Sequence, residues 1–550
     1  MPATTPPPII WSIAGHDSSG GAGLSADQRA ADALGVHLCP VVAAITAQNS
    51  QGVQAVFPVD ASTLEAQLAA LALDLPPRAI KTGLLGTVAA IKAVARWVDH
   101  LRAATPPGVD PHRQLALVID PVLGASAGGA AFADPQVLSA YRKLLIPRAT
   151  VITPNRVEAA RLLAWPQASH DIDQALVPEM ARQLQAIGAR GVVITGGDAP
   201  STLKAAAAPM AQAVDWLQTP HAAGWLTAPR IDTRHTHGTG CTFASGVAAA
   251  LALGHVEADA VVLAKMLTHH ALSQGHGAGQ GAGPVMAGPG FAQGPRHAGA
   301  PLPWLGLDEQ LPWALQGTRF APFHAPPEGL YGIVDSAERI KDGVSSGLRL
   351  LQLRRKTKDA ELAKQLATSL DTCASAQASL FVNDHWREAL ALNAGADAPL
   401  GIHLGQEDLL SLSPPDQALL RQHSARLQLG LSSHSLWELA RAAGCGASLI
   451  ACGPVLPTTT KEMPWQAQGH DNLRWWVAHS PVPVVAIGGL LSPDDVREAA
   501  NCGPAAVCVV RGLGSTLSQT QAALPAFQNA VLSGRAGLQD GPVPLPHPVL

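Results

Sequence analysis

Short runs of apolar, often β-branched residues alternate with longer stretches of helical hydrophobic spacing through most of this chain. Such alternation is typical of parallel β/α architecture. In the first half, four runs predict strands at Ile9–Ala14, Leu115–Asp120, Thr150–Thr153 and Gly191–Thr195. Each run leads into a loop that contains Gly, Pro or Asp, so the first half is predicted to be an α/β domain.

The second half carries eight runs of this kind, each followed by a polar or glycine-rich loop. The predicted strands are Leu330–Asp335, Leu348–Leu353, Leu380–Asp384, Gly401–Leu404, Gln428–Ser432, Leu449–Gly453, Val484–Gly488 and Ala506–Val510. Eight strands in this arrangement predict a TIM (β/α)8 barrel. The chemistry of such a barrel lies on the loops at the carboxyl ends of its strands.

The length of 550 residues exceeds what one ordinary hydrophobic core holds, so two domains are expected. We predict them at residues 1–275 and 329–533. Residues 276–328 are predicted to join them as a linker, and residues 534–550 are predicted to form a disordered tail.

The start of the linker is rich in Gly, Ala, Pro and His, a composition that buries little apolar surface and predicts a flexible connector. Its later part, Pro301–Pro327, carries Trp304, Trp313 and Phe320 between prolines. Two interpretations stay open for this part: a short docking segment or free coil.

The composition of the chain limits the binding partners and the cellular compartment that we expect. The formal net charge of −4 provides no broad field for nucleic acid or an anionic membrane, so any phosphate site must be local. We find neither a signal peptide at Met1–Pro8 nor about 18 uninterrupted apolar residues that would predict a spanning helix. The seven cysteines are scattered, which favours the reducing cytoplasm over a disulfide framework.

Two glycine-rich segments of the first half are candidates for phosphate chemistry. One runs from Gly15 to Gly23 after the first predicted strand, and it is followed by Asp27. The other, Thr236–Thr242, reads T-H-G-T-G-C-T and leads directly into a helical Ala/Leu run. Glycines at a helix start expose amides and the positive end of the helix dipole to a phosphoryl group. Cys241 would lie at that helix start.

These segments resemble a known family. The motifs G-H-D-S-S-G-G-A-G-x-x-A-D, Ala47-Gln48-Asn49, Lys81-Thr82-Gly83, Thr153-Pro154-Asn155 with Glu158, and G-T-G-C-T occur in the order found in hydroxymethylpyrimidine/phosphomethylpyrimidine kinases. The resemblance covers about residues 9–275 and implies a ribokinase-like fold, with ATP as a substrate and Mg²⁺ as the metal.

The resemblance also implies roles for single residues. The aminopyrimidine would be held by Gly15, Asp27 and Gln48. Magnesium on ATP would be organised by Asn155 and Glu158. The transferring phosphate would lie on Gly238, Thr239 and Gly240. Cys241 stands where many ribokinase-like relatives carry a catalytic Asp, and helix N-termini lower thiol pKa values.

Some residues near these motifs are left out of the predicted chemistry or depart from the family. His16, His235 and His237 are left out, since a loop histidine is more often solvated than catalytic. Thr195, before Gly196-Gly197-Asp198, stands where a lysine or another polar residue is expected.

Charged and amide residues follow the early strands of the second half. Gln352, Arg354 and Lys356 alternate, so in a strand they would share one face and could clamp a diphosphate. Asp384 and Asp408 follow the third and fourth strands, where two carboxylates can share one magnesium ion.

This half resembles thiamine-phosphate synthase over about residues 329–515, through Q-L-R-x-K, N-D, H-L-G-Q-E-D, S-x-H, G-P-x-x-P-T-x-T-K and A-I-G-G. The resemblance implies that the pyrimidine diphosphate is bound by Gln352, Arg354, Lys356, Asn383, Ser432 and Lys461. The thiazole phosphate would be bound by Thr458, Thr460, Gly488 and Gly489. Asp384 and Asp408 would ligate magnesium. Arg511 departs from the small residue usual there, so it adds a charge contact or obstructs.

The two resemblances together predict a bifunctional enzyme of thiamine biosynthesis that phosphorylates hydroxymethylpyrimidine to its diphosphate and couples this with thiazole phosphate. One alternative pairs a pyridoxal-type kinase with a thiazole-tautomerase-like barrel, and another makes one half a dead regulatory module. We expect small-molecule substrates, neither nucleic acid nor membrane as partner, and a cytoplasmic location. Monomer and homo-oligomer both stay open.

Overall fold

The computed structural model describes residues 6–124, 134–166, 172–197, 211–393, 400–458, 464–538 and 541–550. The chain separates into two compact units. Unit 1 comprises Met1–Pro303 and Asp308–Gln310, and unit 2 comprises Trp304–Leu307 and Leu311–Leu550. None of the helices in the described ranges is long and apolar enough to cross a membrane.

Unit 1 is built on a sheet of mainly parallel strands. In chain order these are β1 (Ile9–Asp17), β2 (His37–Asn49), β3 (Gly52–Pro58), β4 (Ala79–Thr82), β5 (Ala116–Ile119), β6 (Val151–Ile152), β7 (Gly191–Ile194), β8 (Gln212–Gln218) and β9 (Ala223–Pro229). They lie in the order β9-β8-β7-β6-β5-β4-β1-β2-β3. The strands β3, β8 and β9 pair antiparallel with their neighbours, whereas the central strands are parallel.

Helices accompany this sheet. They are α1 (Gly23–Ala33), α2 (Ala61–Asp74), α3 (Val88–Ala103), α4 (Pro111–Gln114), α5 (Pro135–Ala140), α6 (Arg156–Leu162), α7 (Val177–Ile187), α8 (Thr239–Ala252) and α9 (Glu257–Ser273). The alanine-rich helix α8 packs between α1 and α9, and its residues Val247–Ala250 are fully buried. A helix that is apolar all round is expected to be buried in this way.

Residues 276–303 belong to unit 1, which differs from the predicted flexible connector. The amide of Gly281 donates to Ser50 Oγ (3.1 Å), and the amide of Val285 donates to the carbonyl of His237 (3.0 Å). Phe291 is fully buried. Composition alone did not reveal these partners, because they lie far away in sequence.

Unit 2 is a closed barrel preceded by a short strand, β10 (Trp304–Leu305). The barrel strands are β11 (Leu330–Val334), β12 (Leu350–Leu353), β13 (Ser379–Asn383), β14 (Leu400–Leu404), β15 (Leu427–Ser433), β16 (Leu449–Cys452), β17 (Val484–Ala486) and β18 (Ala506–Val509). They pair in sequence order and in parallel, and β18 closes on β11. The eight predicted strands and the predicted barrel are confirmed.

The helices of unit 2 are α10 (Ala337–Ser346), α11 (Leu362–Ser375), α12 (Trp386–Leu392), α13 (Gln406–Leu410), α14 (Pro414–Gln422), α15 (Leu436–Gly444), α16 (Gly469–His479), α17 (Pro493–Ala500) and α18 (Leu517–Ala536). Ahead of the barrel, Phe323 packs into its core, with ring centroids 6.0 Å from Phe381. Trp313 is buried and the amide of Ala314 donates to the carbonyl of Gly444 (2.9 Å). The segment from Leu311 to Pro327 therefore docks on unit 2 and is not free coil.

The end of the chain differs from the predicted disordered tail. The amide of His547 donates to Asn472 Oδ1 (2.9 Å), and the amide of Gln466 donates to the carbonyl of Val549 (2.8 Å). Val549 is buried. Residues 541–550 thus pack against unit 2 near α16.

Candidate active sites

A cavity of about 310 Å³ in unit 1 lies where β1, β4, β5, β6 and β7 end and α8 begins. Most of the residues predicted for the first site line it: Gly15, Gln48, Asn155, Glu158, Gly238, Thr239, Gly240 and Cys241. Carboxyl ends of parallel strands meet at one edge of a sheet, and this explains how residues so distant in sequence come together.

The start of α8 brings the two glycine-rich segments together. Gly238 caps this helix with a left-handed backbone (φ 88°), and a Cβ there would lie 2.3 Å from the carbonyl oxygen of Gly21. Only glycine fits so close an approach at this φ. The first turn of α8 thus lines the cavity beside the loop that follows β1, as an anion site at a helix N-terminus requires.

The environment of Cys241 differs from the expectation for a thiol at a helix start. Burial raises the pKa of the Cys241 thiol to about 12, although the ammonium of Lys81 opposes this shift. The nearby carboxylates of Asp27 and Asp120 also disfavour the thiolate. The thiol is therefore protonated at neutral pH.

The structure does not support the prediction that Asp27 holds the aminopyrimidine. Asp27 is fully buried in α1, behind the cavity wall. Its oxygens accept hydrogen bonds from Ser12 Oγ (2.6 Å), Ser245 Oγ (2.8 Å) and Lys81 Nζ (2.9 and 3.1 Å). Asp27 therefore neutralises a buried lysine and is not available to a ligand.

Lys81 and Asp120 are cavity residues to which the sequence assigned no role. Lys81 Nζ lies 3.6 Å from Asp120 Oδ2, an atom for which the described residues provide no hydrogen-bond partner. Burial lowers the pKa of Lys81, but the neighbouring acidic groups, Asp27 first, together outweigh it and raise the pKa above its usual range. A lysine inside the apolar run of β4 is the sequence feature that could have revealed this centre.

Asn155 and Glu158 cap helix α6. Asn155 Oδ1 accepts from the amide of Glu158, and Glu158 Oε2 accepts from the amide of Asn155, both at 2.9 Å. This reciprocal capping box fixes an amide and a carboxylate at the cavity wall. Such oxygen donors suit magnesium, which takes a few protein oxygens and completes its shell with phosphate and water.

The far end of the cavity holds another buried ion pair that sequence reasoning missed. Lys265 Nζ, from α9, donates to Asp215 Oδ2 (2.6 Å), and Asp215 Oδ1 accepts from the amide of Gly196 (3.0 Å). Thr195, where a lysine was expected, lines the same end. Lys265 thus places a cation near this position, and Asp198 lies outside the described residues.

In unit 2 side chains of three adjacent strands, β11, β12 and β13, are joined by hydrogen bonds. Tyr331 Oη donates to Gln352 Oε1 (2.7 Å), and Gln352 Nε2 donates to Asn383 Oδ1 (3.0 Å). Asn383 Nδ2 in turn donates to Asp384 Oδ1. The structure therefore brings Gln352, Asn383 and Asp384 together, and Tyr331 is an additional member that the motifs did not indicate.

Asp384 follows β13, and Asp408 lies in α13 after β14. Burial and then the charge of Asp408 raise the pKa of Asp384, whereas Arg354 opposes this shift. Asp408 Oδ2 also accepts from the amide of Gly405 (3.1 Å). Two neighbouring carboxylates suit a divalent cation. Within the part of the chain described, no group of three or more His, Cys, Asp or Glu side chains is arranged to hold a metal, so further oxygens would come from substrate and water.

Ser432 is held from two sides. Its Oγ lies 3.0 Å from Nε2 of His403, and its carbonyl accepts from Gln406 Nε2 (2.7 Å). Burial, followed by the charge of Arg354, lowers the pKa of His403 to about 4, so this imidazole is neutral near pH 7. The H-L-G-Q motif thus fixes a serine near the end of the next strand, β15.

The three clamp residues Gln352, Arg354 and Lys356 do not share a strand face. Strand β12 ends at Leu353, so the alternation expected for Arg354 and Lys356 does not continue, and Lys356 is exposed. Thr458 is half-buried after β16, whereas Thr460 and Lys461 lie outside the described residues.

The late glycines form a tight loop after β17. Gly488 and Gly489 have positive φ (92° and 77°), and a Cβ on them would lie 2.7 Å from Pro454 Cα and 2.4 Å from the carbonyl oxygen of Leu456. Arg511 is exposed and lines a cavity of about 630 Å³ together with Arg354. This position favours the interpretation that Arg511 adds a charge contact over the interpretation that it obstructs the site.

Fold and sites together define a two-domain enzyme, with a phosphate-binding cavity in an α/β unit and a second site at the carboxyl end of a (β/α)8 barrel. Residues 17–286 match the family described as phosphomethylpyrimidine kinase, and residues 330–513 match the family described as thiamine monophosphate synthase.

Relatives align with both units. A chloroplastic thiamine biosynthetic bifunctional enzyme of Arabidopsis thaliana is 32% identical over 499 residues, which cover 88% of this chain and 85% of that protein. A hydroxymethylpyrimidine/phosphomethylpyrimidine kinase of Streptomyces coelicolor is 38% identical and covers 52% of this chain and 98% of its own. A solved ADP complex of Bacillus subtilis pyridoxal kinase is 33% identical, covers 51% of this chain and 97% of its own, and has a TM-score of 0.43.

The chain belongs to the bifunctional thiamine biosynthetic enzymes, in which one polypeptide carries a ribokinase-like hydroxymethylpyrimidine/phosphomethylpyrimidine kinase and a thiamine-phosphate synthase barrel. It phosphorylates hydroxymethylpyrimidine and its monophosphate with ATP. It then couples the resulting diphosphate with thiazole phosphate to give thiamine phosphate and diphosphate. This function, predicted from the motifs, is confirmed.

The structural role of Asp27 is testable. Asp27→Ala should destabilise unit 1 by about 3–5 kcal/mol, because it leaves the buried Lys81 ammonium without its main partner. The double variant Asp27→Ala/Lys81→Met, which removes the charge as well, should recover most of this loss. Calorimetry of the full chain would measure both effects, with the transition of unit 2 as an internal reference. A stable Asp27→Ala protein whose only defect is a raised KM for the pyrimidine would restore the ring-binding role.

Proposed function

We propose that hydroxymethylpyrimidine and its monophosphate bind at the Gly15 and Gln48 end of the unit 1 cavity, and that ATP binds towards Lys265. The observation that carries this proposal is the continuity of the cavity, which Gln48, the first turn of α8 and Lys265 all line. The Gln48 amide offers both a donor and an acceptor to an aminopyrimidine edge. The apolar residues Ile231 and Leu272 at the Lys265 end suit a nucleobase.

In the phosphoryl transfer, the amides from Gly238 to Gly240 stabilise the charge that develops on the transferring group. Lys81 provides a fixed positive charge in the same cavity, and Asp27 and the surrounding protein hold it in place. The ionised form of Cys241, its thiolate, accepts the proton of the substrate hydroxyl. Asn155 and Glu158 hold magnesium, which when bound neutralises charge on the ATP phosphates.

In unit 2, the pyrimidine diphosphate binds to the hydrogen-bonded strand ends and the arginine beside them: Gln352, Arg354, Asn383 and Ser432. Lys356 and Lys461 are further predicted contacts from the loops. Asp384 and Asp408 hold magnesium, which when bound neutralises charge on the departing diphosphate. Thr458, Thr460, Gly488 and Gly489 hold the thiazole phosphate, so that the thiazole nitrogen faces the carbon from which the diphosphate leaves.

The partners of the protein are these small-molecule substrates, and we propose a cytoplasmic location. All seven cysteines fall within the described ranges and are free thiols. Free thiols are what a reducing compartment maintains, and this supports the proposed location.

The synthase assignment predicts separable activities. Asp384→Ala or Asp408→Ala should lower synthase turnover by about 10²-fold or more, because the leaving diphosphate loses charge stabilisation. ATP-dependent pyrimidine phosphorylation by the same protein should be unchanged. Asp371→Ala, at an exposed carboxylate on α11, is the matched control and should leave both activities intact. Wild-type synthase rates in the two test variants would refute the assignment.

The proposed role of Cys241 predicts a pH dependence. A thiol with a pKa of about 12 is ionised in only roughly one molecule in 10⁵ at pH 7. If the thiolate accepts the proton, kinase kcat/KM should rise about tenfold per pH unit between pH 7 and 9. Cys241→Asp should give a flatter profile, because the ordinary pKa of a carboxyl group lies several units below that of a thiol. Equal slopes for the two proteins would exclude the thiol as the proton acceptor.

A further inference from the structure

His237, which the sequence left out of the chemistry, is fixed between the loops at the pyrimidine end of the unit 1 cavity. Its amide donates to the carbonyl of Gly283 (3.1 Å), and its carbonyl accepts from the amide of Val285 (3.0 Å). Its ring lies against Gly21, where a Cβ would come within 2.2 Å of His237 Cδ2. The backbone and the ring of His237 are therefore both held by neighbouring segments.

The Nε2 atom of His237 meets two side chains. It lies 2.9 Å from Asp17 Oδ2 and 3.1 Å from Gln48 Nε2. Asp17 also accepts from the amides of Ser19 (2.9 Å) and Ala22 (2.8 Å). Burial alone would raise the pKa of Asp17, but hydrogen bonds, first from His237 and then from Ser19, outweigh it and hold the pKa well below its usual range.

These contacts establish which atom carries the hydrogen between Asp17 and His237. An ionised carboxylate only accepts, so the hydrogen between Asp17 and His237 belongs to His237 Nε2. A ring N–H and an amide NH₂ cannot form a hydrogen bond with each other, because both are donors. We therefore assign the Gln48 amide with its oxygen towards His237, where it shares the single Nε2–H with Asp17 in a three-centre hydrogen bond. Its NH₂ then faces Thr46 Oγ1, which lies 3.3 Å from the other end of the amide.

We propose that His237 is a positioning residue of the kinase site: its Nε2–H, held by Asp17, fixes the orientation in which the Gln48 amide meets the pyrimidine. This inference rests on the proposed function, in which Gln48 contacts the ring. In the fixed orientation, Gln48 offers an oxygen lone pair to an exocyclic amine and an N–H to the adjacent ring nitrogen. His237 also precedes Gly238 directly, so it joins the ring-binding end to the phosphate-binding turn.

A double-mutant cycle in the full-length chain tests the proposal. His237→Ala and Gln48→Ala should each raise the KM for hydroxymethylpyrimidine about tenfold, with smaller changes in kcat and in the KM for ATP. The double variant should also show about a tenfold increase, because the two side chains act as one unit. His237→Gln keeps an N–H donor at similar reach and should recover most of the affinity.

Two controls accompany the cycle. His16→Ala changes an exposed histidine at the end of β1 and should leave the KM unchanged. Synthase activity of each variant, together with the unfolding transition of unit 1, reports whether the chain has folded.

The outcomes separate this proposal from the proposed function. If Gln48→Ala raises the KM but His237→Ala does not, or if their effects multiply to about a hundredfold, the positioning role is wrong and the role of Gln48 stands. An unchanged KM in Gln48→Ala would overturn both the positioning role of His237 and the proposed contact of Gln48 with the ring. If His237→Ala does not fold, the KM of His237→Gln tests the proposal instead. A near-normal KM in this variant supports the proposal, and a KM as high as that of Gln48→Ala overturns it.

Discussion

Parallel strands that are covered on both faces must be apolar along most of their length, and this constraint decides where polar chemistry can lie in both units. Polar side chains gather beyond the strand ends, as Asp120 does after β5 and Asp384 after β13. Lys81 lies inside β4, and its charge is tolerated there because Asp27 neutralises it. Each site thus concentrates charge locally in a chain whose net charge is only −4.

Several acidic residues at these sites also hold the backbone in place. Asp17 accepts amides of the glycine-rich loop, Glu158 accepts the amide that begins α6, and Asp408 accepts the amide of Gly405. A magnesium ion at Glu158 or Asp408 would therefore share an oxygen with a capping hydrogen bond or use the other carboxylate oxygen. The same bonds keep these side chains oriented before any ligand binds, which lowers the entropic cost of binding.

The sequence predicted those structural features that depend on residues close together in the chain. The eight barrel strands follow from hydrophobic runs, and the motif residues meet because parallel strands end at one edge. The packing of residues 276–303 could not be predicted, because a glycine-rich composition does not show that Ser50 and His237 bind its backbone. Asp27 was assigned to the ligand because its partner Lys81 is distant in sequence and hidden in an apolar run.

The central claim is that one chain converts hydroxymethylpyrimidine to thiamine phosphate through two independent sites. The most direct test supplies the full chain with hydroxymethylpyrimidine, magnesium, unlabelled thiazole phosphate and ATP that carries a labelled γ-phosphate. Both phosphates of the pyrimidine diphosphate then derive from ATP, so the label should appear in released diphosphate while the thiamine phosphate stays unlabelled. Absence of thiamine phosphate, or label within it, would contradict this account.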